Sequence, residues 1–204
     1  MNAFLPAVFL VVLLSACATK PKPPPELEIK YDDHGNPLGC NWYCGAPPIE
    51  VTASSSLTEG GVTYSAENAH DTKKSTVWVE GADGLGIGES ITFTFDMTDR
   101  KPEPDPDYKF GIDGVSIING FAADKSIWEK NGRVKVLEVA FNGKPLGTIT
   151  LEDTPKPQFL KLPKIVFRPG KREKVTFTIR EVYPGSKYQD TAIADFFFSG
   201  FGVH

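Results

Sequence analysis

Hydrophobic and polar positions divide the chain into three stretches of different pattern. Phe4 to Leu14 is an almost unbroken apolar run, interrupted only by Pro6 and followed by the small residues Ser15 and Ala16. Its eleven residues are about half of the roughly 20 that cross a bilayer as a helix, so the run reads as the hydrophobic region of a cleaved targeting segment. The next stretch, to about Pro48, has no periodicity. It opens with Lys20-Pro21-Lys22-Pro23-Pro24-Pro25, whose fixed φ angles favour polyproline II and a semi-rigid spacer.

From Ile49 onward, short β-branched and aromatic runs are punctuated by Gly, Asn, Asp and Pro, and little reads as amphipathic helix. In Ile91–Phe95 and Val175–Ile179 apolar and polar residues alternate, which predicts strands with one buried face. Arg133 to Leu151 reads as a hairpin around Asn142-Gly143, a pair suited to a type I′ turn. The adjacent Val136 and Leu137 break the alternation, which a bulge would absorb. Further strands are expected at Gly114–Ile118, Lys164–Arg168 and Ala192–Ser199, and Trp78 is assigned to the core. A handful of strands separated by long loops in about 155 residues favours an all-β, two-sheet sandwich over a small barrel.

Composition adds exclusions. The chain has 204 residues, 40% of them hydrophobic, with mixed charges and a net charge of −4, so no nucleic-acid partner is indicated. The expected organisation is a signal peptide at 1–16, a lipidated cysteine and Pro-rich linker at 17–48, and one folded domain at 49–204.

Leu14-Ser15-Ala16-Cys17 resembles a bacterial lipobox, which implies that Cys17 is acylated and becomes the first mature residue. Several acyl chains, at about 0.8 kcal/mol per buried methylene, would hold the protein at a membrane without a spanning helix. An ordinary secretory signal with an incidental cysteine is the alternative. The expected location is the bacterial cell envelope, outside the cytoplasm. Ala18, where inner-membrane retention is associated with aspartate, suits the outer membrane if the source is Gram-negative. Cys40 and Cys44 are then the remaining thiols. In an oxidising compartment a disulfide is favoured over a metal site, since no His or Cys partners stand nearby. So short a loop would give the low end of the usual ~2–4 kcal/mol and would shape Trp42 and Tyr43 locally.

Three phrases resemble the discoidin (F5/8 type C) family: Tyr64 to Asp71, Thr76 to Gly81, and Gly84 to Ile91. Ile117 to Phe121, Asn131 to Lys135 and Val182 to Ile193 extend the resemblance to the translocation-type F5/8 domain attached to NAD glycohydrolase. The resemblance covers roughly Ile49 to Phe201 and implies a galactose-binding-like jelly-roll sandwich that holds carbohydrate in its loops, without catalysis and without a required cofactor. The residues agree about catalysis. Three histidines (His34, His70, His204) offer few general bases, and no Gly-x-Ser-x-Gly, His-Glu-x-x-His or phosphate-loop motif occurs. His70-Asp71 lacks a nucleophile, and a strand, not a helix, follows Gly84, Gly86 and Gly88, which suits tight backbone packing better than a pyrophosphate cradle.

The resemblance also implies a candidate structural calcium site at Asp71, Thr76 and Asp195, the last standing where the family has a glutamate. These are hard oxygen ligands of the kind Ca²⁺ takes. On the residues alone, Asp71 serves equally well as a loop cap. Aromatic faces and hydrogen-bonding side chains suited to a sugar occur at Phe121, Trp128, Asn131, Arg133, Tyr183, Tyr188 and Asp190. Tyr183 and Tyr188 could instead brace a loop, and Trp128 could join a satellite core. The expected partner is a glycan; a structural or adaptor lipoprotein gripping an envelope protein is the alternative.

Overall fold

The computed structural model describes residues 47–202 apart from 103, 104 and 106. The signal peptide, Cys17, the linker and the Cys40–Cys44 pair lie outside the described residues. In chain order the elements are β1 (Glu50–Ala53), β2 (Thr58–Glu59), β3 (Val62–Thr63), a 3-10 helix (Ala66–His70), β4 (Trp78–Val79), β5 (Ser90–Asp96), β6 (Gly111–Asn119) and α1 (Lys125–Lys130). They continue with β7 (Gly132–Phe141), β8 (Lys144–Thr150), β9 (Gln158–Val166), β10 (Arg172–Tyr183) and β11 (Thr191–Phe201). No helix among the described residues is long and apolar enough to cross a membrane.

The strands form a sandwich. One layer runs β1-β5-β10-β7-β8 and the other β9-β6-β11-β4. They meet where Gly132 and Arg133 at the start of β7 pair in parallel with Thr191 and Ala192 of β11. The period-two alternation is the cause of the layering: Ile91, Phe93 and Phe95 of β5 and Val175, Phe177 and Ile179 of β10 are all fully buried. Phe93 meets Phe196 and Phe198 of the facing layer at 5.0 and 4.9 Å between ring centres, within the range of favourable tilted and edge-to-face contacts. Trp78 is fully buried, as its neighbourhood in the sequence suggested, and its indole N–H donates to Ser55 O at 2.9 Å.

The β7–β8 hairpin turns at Asn142-Gly143 with φ of 48° and 76°, the two positive values that a type I′ turn needs. Beside Val136 the pairing of β7 with β10 shifts register twice, so Val134 and Leu137, three apart, both face the core. The expected strand at Lys164–Arg168 is corrected: β9 spans Gln158–Val166. Its alternation changes phase at Pro163-Lys164, both exposed, and only the second half was legible. Proline is tolerated there because β9 closes the edge of its layer. The short helix α1 was not expected either.

A smaller apolar cluster lies apart from the main core. Val77, Val79, Ile118, Ala192 and Ala194 form it, with Leu57, Tyr64, Phe121 and Ala122 partly buried against it. The sandwich also has two distinct poles. Ile49 enters by donating to Thr94 O, and the end of β5, the start of β10, the Asn142-Gly143 turn and the end of β11 lie at that same pole. The loops after β1, β6 and β10 lie at the other. β10 runs between them, and its 12 residues at about 3.3 Å each give roughly 35 Å.

Candidate functional site

At the pole remote from Ile49, a cleft of ≈ 220 Å³ is lined by Leu57, Glu59, Tyr64, Val79, Phe121, Ile127, Lys130, Asn131, Tyr188 and Asp190. Its floor is the smaller apolar cluster, where Tyr64 and Phe121 meet edge to face at 6.2 Å. Its first wall is the β2–β3 hairpin, whose tip Gly60-Gly61 has φ of 58° and 80°, a conformation that glycine adopts without strain.

The second wall is the end of α1 joined to the 184–190 loop. Asp124 caps the helix by accepting from Ile127 N at 2.9 Å, and Asn131 donates from Nδ2 to Ile127 O at 2.8 Å. Ser186 N donates to Glu129 O, Lys187 N and Tyr188 N to Lys130 O, and Gly132 N to Asp190 O, all within 2.8–3.2 Å. A Cβ at Gly185 would lie 2.3 Å from Lys130 O, so the loop lies on the helix end as closely as backbone permits. The cleft is thus a preformed wall of fixed main chain, with side chains of mixed character projecting from it.

Four of the seven sugar-site residues expected from the sequence, Phe121, Asn131, Tyr188 and Asp190, are brought together here. The other three stand behind them. Trp128 is 8% exposed and donates from its indole N–H to Asn119 O at 2.9 Å. Arg133 stacks over its ring at 4.7 Å, forms a two-pronged pair with Asp153 at 2.8 and 3.0 Å, and donates to Asn131 O and Pro184 O. Tyr183 donates its hydroxyl to Leu151 O at 3.0 Å. These side chains brace the wall, their donors already used. The sequence reading missed Leu57, Glu59, Tyr64, Val79, Ile127 and Lys130. The Gly60-Gly61 pair was a turn signal that would have placed the first three on a hairpin.

Glu80 lies behind the cleft, fully buried, accepting from Ala82 N at 2.9 Å and Thr191 N at 3.0 Å. Burial pushes its carboxyl above the usual range, the two backbone donors oppose that, and the charges of Asp190 and Glu89 add to it. Gly86 is required above it: a Cβ there would fall 2.3 Å from the Glu80 carboxyl carbon. The tight packing expected of the Gly84–Gly88 series therefore holds at Gly86, while Gly84 and Gly88, with φ of 94° and 100°, have open space where a Cβ would stand.

Of the Asp71, Thr76 and Asp195 set, Thr76 and Asp71 are bonded to each other and Asp195 lies near enough to Asp71 to feel its charge. Thr76 Oγ1 donates to Asp71 Oδ2 at 2.7 Å, Lys73 N to Asp71 Oδ1 at 2.9 Å, and the Lys73 ammonium stands 3.6 Å from Asp71 Oδ2. Asp195 is 8% exposed, and its Oδ1 has no hydrogen-bond partner among the described residues. Burial chiefly pushes its carboxyl up; the Thr72 backbone and His70 oppose this and Asp71 reinforces it. An orphaned buried carboxylate oxygen beside a second carboxylate and a hydroxyl fits a hard cation in donor chemistry. Among the described residues, no three His, Cys, Asp or Glu side chains cluster in metal-holding geometry, so backbone carbonyls would have to complete such a shell.

In solved structures, the paired CBM32-1 and CBM32-2 domains of ZmpB from Clostridium perfringens align with a TM-score of 0.54 at 14% identity, over 89% of this chain and 42% of that one. The same pair in complex with GalNAc aligns with a TM-score of 0.54 at 13% identity, over 89% of this chain and 41% of that one. The arabinofuranosyltransferase AftD from Mycobacteria, as its R1389S mutant, aligns at 0.50 and 20% identity, over 83% of this chain and 12% of that one. The chain therefore spans less than half of these proteins, and at such identities the likeness concerns the fold. No curated protein matches the chain in sequence. The model of the NAD glycohydrolase translocation F5/8 type C domain matches residues 42–199, most of the chain, and the protein belongs to that family.

Proposed function

We propose that this protein is a non-catalytic bacterial lipoprotein, held through Cys17 at the cell envelope, that binds carbohydrate in the cleft between the β2–β3 hairpin and the 184–190 loop. The carrying observation is that cleft: an apolar floor with Tyr64 and Phe121, and polar groups at Glu59, Asn131, Tyr188 and Asp190 around the same small space. Sugar rings present apolar C–H faces and hydroxyl edges, and such lining meets both. At about 30 Å³ per liquid water, the volume of ≈ 220 Å³ suits one sugar ring better than an oligosaccharide. The GalNAc complex of a protein with this fold supports the reading. The Asp71, Thr76 and Asp195 set is proposed as a structural calcium site. Where the source is Gram-negative, Ala18 favours the outer membrane.

The test is a broad glycan array probed with the full chain in detergent, beside Tyr188→Ala confirmed as folded by its melting curve. Binding that disappears in the variant supports the reading. Silence across the array overturns it and favours an adaptor lipoprotein that grips an envelope protein.

A further inference from the structure

The charges around the cleft differ in depth. Asp190 is half-buried in its wall, Glu80 is fully buried behind Asp190 and close enough to act on it electrostatically, and Glu59 is exposed on the hairpin opposite. The basic side chains nearby, Lys130 and Lys187, are both exposed, and Lys187 sits over the Tyr188 ring at 4.7 Å. Among the described residues, neither the Glu59 nor the Asp190 carboxylate makes a hydrogen bond or an ion pair within the protein, although Lys187 lies near enough to Glu59 to feel its charge, and the Asn131 side chain commits one N–H of its Nδ2 to Ile127 O. The charged groups left for a ligand are therefore the Glu59 and Asp190 carboxylates, with Lys130 as the basic lining residue among those described. The half-buried Asp190 acts partly through protein, while the exposed Lys130 and Lys187 act through water and salt.

Resting on the carbohydrate reading above, we propose that the cleft selects a sugar carrying a free, protonated amine, a hexosamine whose ammonium enters between Glu59 and Asp190 while its apolar ring face lies on Tyr64 and Phe121. N-acetylation would remove the charge that the acceptors favour. A uronic acid would bring a carboxylate against Asp190, and like charges in a partly dry cleft are strongly disfavoured.

Calorimetric titration of the full chain with D-glucosamine and D-galactosamine, their N-acetyl forms, and the two corresponding uronic acids tests this. The amino sugars should bind about tenfold more tightly than their N-acetyl forms, the magnitude of one partly exposed charge pair, with uronic acids weakest. Asp190→Asn and, on the exposed hairpin, Glu59→Gln should each shrink that preference several-fold, as should ~0.5 M salt. N-acetyl sugars binding as well as the amines, or a preference unchanged in both variants, overturns the ammonium selection and leaves the carbohydrate reading standing. No binding by any of the six overturns both.

Discussion

Glu173 shows how one side chain ties together the pole at which Ile49 enters. It is fully buried on β10, and Arg168 donates to both of its oxygens at 2.8 and 3.1 Å. Burial opposes its ionisation, but donation from Arg168 and Asn142 holds its carboxyl below the usual range. A lowered folded-state pKa contributes stability that is present above the unfolded value and lost as pH falls through the folded one. Glu173→Gln should therefore lower stability at pH 7 by about 1–2 kcal/mol, allowing for Arg168 being largely in water. In melting curves the gap to the parent should close once the pH is below the folded-state pKa of Glu173. Asp195 offers a separate test. If its orphaned oxygen serves calcium, added CaCl₂ should raise the melting temperature of the parent above its value in EDTA, and Asp195→Asn should abolish that rise. An unmoved parent would remove calcium from the account.

Two glycines separate the support of the cleft from the support of the fold. Gly185 permits the 184–190 loop to lie on the end of α1, and a Cβ there meets Lys130 O at 2.3 Å. Gly185→Ala should cost about 1–3 kcal/mol through overpacking and should weaken ligand binding as the wall is displaced. Gly143 sits at the far pole with φ of 76° and open space around its missing Cβ. Gly143→Ala should cost about 1 kcal/mol from backbone strain alone and leave binding unchanged. Thermal melts paired with ligand titration distinguish the two, and equal losses of binding would contradict the rigid-wall account. The β7–β8 turn was legible because a two-residue turn is written in adjacent residues. The wall was not, because α1 is short and is held by main-chain bonds to a loop some sixty residues later, a contact that leaves no local period in the sequence.

In the whole domain, the entry of the chain at Ile49 and the cleft lie at opposite poles, roughly 35 Å apart along β10. A domain held from its N-terminal side would therefore present the cleft away from the surface that holds it. The full chain reconstituted in vesicles should bind an immobilised ligand, whereas attachment through a cysteine placed at Val62, which is 53% exposed on the cleft's hairpin, should block binding. Equal binding in both orientations would contradict the polarity.

The all-β class, the buried faces of β5 and β10, the core place of Trp78 and the family resemblance could all be read from the chain, because alternation, turn pairs and motif order are local properties of residue order. Phe121, Asn131, Tyr188 and Asp190 were recognisable by residue type and by lying in loops. Which of the candidates line the cleft was a matter of packing: Trp128, Arg133 and Tyr183 have the same chemistry, yet they are bonded to Asn119, Asp153 and Leu151. Glu59 and Tyr64 entered the site only when the β2–β3 hairpin folded over the outer apolar cluster. The cleft is made by residues far apart in the chain, and burial and hydrogen-bond satisfaction, which divide them into wall and support, exist only after the layers have closed.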